Sequence, residues 1–79
     1  MNGNNKELPE GVREVELRTV KKGDFFTLLP YSEPTEKQVW VQGEYDRHTK
    51  TYSAYRFTDV NHELANGRGD RRVFVGFTF

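Results

Sequence analysis

The hydrophobic positions of this chain recur mostly at every second residue. In "VREVELRTV", residues 12–20, Val15 and Leu17 alternate with Glu14, Glu16 and Arg18, the signature of a half-buried strand. "KKGD" follows as a turn in which Gly23 supplies backbone freedom. "DFFTLLP" is apolar on both parities, so it predicts a strand buried on both sides or bent across a barrel corner. Pro30 and Pro34 end it, and "SEPTEK" is a loop.

"QVWVQGEYD" and "TYSAYRFTD" predict a hairpin joined through "RHTK". With Val41 opposite Phe57 and Gly43 opposite Tyr55, one face collects Val39, Val41, Tyr45, Tyr55 and Phe57. The other collects Trp40, Gln42, Glu44, Arg56 and Thr58 and reads as the wet face, with Arg56 diagonal to Trp40. The Tyr55 ring then covers Gly43. A competing register pairs Tyr45 with Tyr52 and sets Arg56 opposite Val41. A one-residue slip exchanges the faces, and the cleaner separation favours the first.

"DVNHELANG" breaks the alternation. Asp59 as N-cap, Val60 and Leu64 four apart, and Gly67 at C′ predict one or two helical turns. In "RRVFVGFTF", Val73, Val75, Phe77 and Phe79 share an inward face, while Phe74, Gly76 and Thr78 point outward.

These elements predict an all-β fold: a small five-stranded antiparallel SH3-like barrel with one short helical turn before the last strand. Closure would remove exposed strand edges. Residues 1–11 hold three Asn, two Gly and a Pro and predict a flexible N-terminal tail; residues 12–79 form a single barrel domain.

Composition narrows the function. The chain has 79 residues and no cysteine, so neither a disulfide nor a thiolate metal site reinforces the fold. Hydrophobic residues make up only 34%, and aromatic side chains must carry much of the core. Twelve basic residues balance twelve acidic ones, so overall charge draws the protein to neither nucleic acid nor membrane. No apolar run approaches the ~20 residues of a membrane span, and "MNGNNKELPEG" lacks the apolar stretch of a signal peptide. A cytoplasmic protein is expected.

Catalytic chemistry has little to stand on. His48 falls in the hairpin tip. His62 and Glu63 are sequence neighbours without the spacing of a helical zinc motif. No serine sits in a nucleophile elbow, and the glycines of "NGRGD" lack a phosphate-loop lysine. A non-enzymatic protein without metal or cofactor is expected.

Binding is better supported. Trp40 and Phe74 on the outer parity, joined by Tyr31, predict an aromatic patch that docks a protein partner or a second copy. The alternative is nucleic-acid or nucleotide binding, with Trp40 stacking on a base and Arg47, Lys50, Arg56, Arg68, Arg71 and Arg72 supplying cations. Glu44, Asp46, Asp59 and Asp70 are interleaved among those cations and weigh against it.

At "KKGDFFTL", "VWVQGEYDRHTKTYSAYRFTDVNHE" and "VFVGFTF", the chain resembles small uncharacterised proteins of gut Bacteroidales and their phages or mobile elements. The resemblance spans residues 15–79. It implies a small accessory protein, of the kind phages use to inhibit or sequester host components, and transfers no catalytic residue.

Overall fold

A strand persists only while each residue finds a ladder partner, and in this chain the ladders are short. The computed structural model describes residues 8–79. In chain order these residues form β1 (Arg13–Glu16), a 3-10 turn (Leu17–Thr19), β2 (Phe25–Phe26) and a second 3-10 turn (Glu36–Gln38). Six strands follow: β3 (Trp40–Val41), β4 (Tyr45–Asp46), β5 (Thr51–Tyr52), β6 (Tyr55–Arg56), β7 (Asp59–Glu63) and β8 (Arg72–Val75). Residues 1–7 of the expected tail lie outside the described residues. Val12 is already buried, its N–H donating to the Pro9 carbonyl at 3.0 Å.

The all-β, antiparallel expectation holds, but the barrel does not form. The strands make three sheets: β1 with β8, β4 with β5, and a four-stranded sheet ordered β2-β3-β6-β7. Single bridges staple them: Thr27 to Phe74 joins the first sheet to the third, and Thr51 to Arg68 ties β5 to the segment before β8. Most strands are two residues long, so no continuous ladder runs round the molecule.

The reason lies in the central hairpin. At its base Trp40 pairs with Arg56 and Val41 with Tyr55; at its tip Tyr45 pairs with Tyr52 and Asp46 with Thr51. Between these pairs three residues, Gln42 to Glu44, face only Ser53 and Ala54. That is a bulge, and it breaks the ladder and exchanges the faces. The strands approach so closely here that a Cβ on Gly43 would sit 2.0 Å from the Ser53 carbonyl oxygen. The expected single register is therefore corrected. The base is offset from it by two residues, and the tip adopts the Tyr45–Tyr52 pair of the competing register.

The predicted helical turn is also replaced by strand. Asp59 does accept the Asn61 N–H at 3.0 Å, as a cap would. The chain nevertheless stays extended because β6 offers it a ladder, pairing Arg56 with Asp59 and Tyr55 with Glu63. Gly67 is not a left-handed C′ residue; it is buried beneath the Tyr52 carbonyl.

The core gathers Leu17, Val20, Phe26, Trp40, Ala54 and Val73, with Val15, Leu28, Tyr52, Leu64 and Val75 half-buried against it. Residues 39–42 are buried on both faces, so Trp40 and Gln42 are not on a wet face. Gln42 reaches into the core and donates from Nε2 to the Leu17 carbonyl at 2.8 Å and the Val20 carbonyl at 3.2 Å. It thereby holds the first 3-10 turn. On β8, Val73 faces inward as expected, but the inward face fades along the chain: Phe77 is half-buried and Phe79 is 50% exposed. Among the described residues no helix is long and apolar enough to cross a membrane.

Candidate binding surfaces

The register at the hairpin base sets Arg56 directly across from Trp40, not diagonal to it. The guanidinium carbon lies 5.0 Å from the indole centroid, a cation–π distance. Arg56 Nη1 donates to the Lys37 carbonyl at 2.6 Å. That carbonyl is presented by the second 3-10 turn, which is fixed by a reciprocal capping box between Thr35 and Gln38. On another side His62 meets the indole edge to face at 5.8 Å. Trp40 is only 6% exposed. The expected open stacking platform is thus a covered core residue, and Arg56 is part of its cover.

Tyr31 does come to this place. With Leu28, Leu29, Trp40 and Arg56 it lines a shallow cavity of about 210 Å³. Phe74 does not. It lies half-buried on β8, its N–H donating to the Thr27 carbonyl at 2.9 Å and its carbonyl accepting from Thr27 at 3.0 Å. The patch expected from Trp40 and Phe74 is therefore corrected on both counts.

A different aromatic surface takes its place. Phe25 opens β2, Phe57 follows β6, and Phe79 follows β8. Their rings meet edge to face, with centroids 5.5 Å apart for Phe25–Phe57, 5.6 Å for Phe25–Phe79 and 5.1 Å for Phe57–Phe79. Each ring stays 39 to 50% exposed. Edge-to-face pairing satisfies the rings' quadrupoles while leaving apolar area in water. Strand parity carried past the ends of β6 and β8 places Phe57 and Phe79 in the interior, so alternation alone misses this surface. No local signal in the sequence brings these three residues together; only the tertiary arrangement does.

The basic residues separate in the same way. Arg71 turns back to the Asn66 carbonyl at 2.9 Å. Arg72 sits exposed on β8 opposite Glu16. Of the expected cations, Lys50 and Arg68 meet, in a cleft of about 270 Å³ that they line with Arg18, Tyr45, Tyr52 and Asp70. Backbone bonds from Arg18 N–H to the Gly69 carbonyl at 3.0 Å and from Tyr52 N–H to the Gly67 carbonyl at 2.7 Å hold its walls together. Arg18 was absent from the expected set of cations, because it lies far from Arg68 in sequence.

His48 lies exposed in the hairpin tip, its N–H bonded to Asp46 Oδ1 at 2.8 Å. Among the described residues no three His, Asp or Glu side chains gather where they could hold a metal ion. Comparison with known protein families, curated proteins and solved structures finds no match to this chain.

Proposed function

We propose that this protein is a non-enzymatic interaction module that pairs with a second copy of itself through the Phe25–Phe57–Phe79 surface. The observation that carries the reading is three mutually packed aromatic rings left 39 to 50% exposed. Contiguous exposed aromatics of this kind mark contact surfaces. A two-fold interface places the same patch on both partners, so it must be complementary to itself. Uncharged rings meet that condition. The free edge of the four-stranded sheet does not: pairing β7 with itself about Asn61 would set Asp59 against Glu63 of the other copy. Self-association would also extend a thin core. The sheets are read, within the same proposal, as an opened form of an SH3-like barrel, supported by their succession of short antiparallel strands.

Sedimentation equilibrium over a concentration series tests the reading. The wild type should show a reversible dimer, and Phe57→Ser should shift it to monomer while the far-ultraviolet circular dichroism stays unchanged. A wild type that remains monomeric at the highest concentrations, or a folded Phe57→Ser protein that dimerises as well as wild type, would overturn it.

A further inference from the structure

The cleft between Arg18, Lys50 and Arg68 is separate from the aromatic surface and has a different chemistry. Its lining carries three cations against one carboxylate, Asp70. Arg18 Nε is held by Glu16 at 2.8 Å, which keeps one edge of its guanidinium engaged. Arg68 Nε stands 3.6 Å from Asp70, a loose pairing that leaves most of its donors open. Lys50 has no ion pair among the described residues. The cleft therefore holds a positive excess at a chain whose net charge is zero.

Two further features give the cleft a shape. Tyr45 and Tyr52 meet at the hairpin tip with ring centroids 4.9 Å apart and planes tilted by 55°, and Tyr45 is 48% exposed. Lys50 adopts φ of 60°, the left-handed region that Gly or Asn occupies at less cost. A lysine at that position gives up local backbone comfort, and Lys50 lines the cleft. Gly69 lies between the two walls: a Cβ there would touch both the Arg18 Cβ and the Tyr52 ring at 3.4 Å.

We infer that this cleft binds a nucleotide unit. The phosphate would take its donors from Lys50, Arg68 and Arg18, and the base would stack on the exposed ring of Tyr45. Guanidinium groups fork onto phosphate oxygens, and an ammonium adds a point charge. Base stacking on an aromatic face tolerates any base, so the site selects for phosphate beside a planar ring and not for sequence. A cleft of about 270 Å³ suits one such unit, free or at the 5′-phosphorylated end of a strand.

The test is an NMR titration of the full chain, labelled with nitrogen-15, at low salt. The probes are AMP, adenosine, inorganic phosphate, and a short oligothymidylate with and without a 5′-phosphate. AMP should move the amides of Lys50, Thr51, Gly69 and Asp70, and should bind about tenfold more tightly than either adenosine or phosphate, as expected when both halves of the ligand contribute. If the phosphorylated oligomer binds more tightly than AMP at the same amides, the site takes a strand end; if equally, a free nucleotide. Lys50→Asn should weaken AMP about tenfold while thermal stability holds or rises, since Asn tolerates the left-handed backbone. Asp70→Asn should tighten AMP, a gain that a purely structural role would not produce. Amides unmoved by AMP, adenosine binding as tightly as AMP, or an unaffected Lys50→Asn variant would each overturn the inference.

Discussion

Gln42 shows how one polar side chain can organise a thin core. It is 1% exposed, and its amide donates to the carbonyls of Leu17, which also accepts the Val20 N–H at 3.0 Å, and of Val20, which finds no other donor among the described residues. Its own backbone bonds both ways to the preceding turn: its N–H to the Asp24 carbonyl at 2.9 Å and its carbonyl to Gly23 at 2.8 Å. Replacing it with Ala leaves the buried Val20 carbonyl without a donor, weakens the pairing at Leu17 and opens space. Gln42→Ala should cost about 2 kcal/mol, read as a midpoint lower by roughly 10 °C in thermal unfolding. A loss of only one or two degrees would mean the turn holds itself. Arg56 plays a related part over Trp40, and a desolvated cation–π contact is worth up to about 2 kcal/mol. Arg56→Ala should move Trp40 emission to longer wavelength as the indole is uncovered. An unshifted spectrum would show that other groups seal it.

At the scale of elements, the bulge at Gln42 to Glu44 separates what the sequence discloses from what it hides. Strand positions near residues 13–16, 25–26, 40–46, 51–56 and 72–75 were legible from alternation and turn chemistry. Which face each residue takes was not. A bulge leaves no mark in a hydrophobic pattern beyond a glycine, and each extra residue inverts parity beyond it. Trp40 and Gln42 were misplaced for a second reason: residues 39–42 are buried on both faces, so parity assigns no wet side there, and "QVWVQ" proved to be the doubly buried strand that "DFFTLLP" had been expected to supply. β7 was hidden by signals shared between caps and turns: Asp59 bonds two residues ahead in either setting. The strand's acidic ends also have a consequence. With Asp59 and Glu63 facing each other in any self-pairing about Asn61, the sheet edge resists its own copy. Glu63→Lys should remove that protection and add a second mode of association, seen as species larger than a dimer in sedimentation velocity. A variant that sediments like wild type would show that the edge is guarded by something other than charge.

For the molecule as a whole, three small sheets stapled by single bridges replace the closed barrel that the strand count suggested. Closure needs ladders long enough to share a shear, and two-residue strands cannot provide them. The consequence is a surface on which large apolar side chains remain outside, among them Phe25, Phe57 and Phe79. Phe79 illustrates the difference. Inside a barrel its loss would prevent folding; on this surface Phe79→Ser should cost about 1 kcal/mol through its two edge-to-face contacts. A cooperative thermal transition should survive, while dimerisation is lost. The resolved binding candidates were legible only as residue types: aromatic rings and scattered arginines were visible in the sequence, but their grouping depends on folds between distant segments.

The most direct test of self-association through this surface is a filtered nuclear Overhauser experiment on a sample mixing labelled and unlabelled chains. Contacts between copies should arise from the rings of Phe25, Phe57 and Phe79. Their absence at concentrations where the protein is dimeric, or intermolecular contacts centred on Trp40 or on β7 instead, would contradict the account.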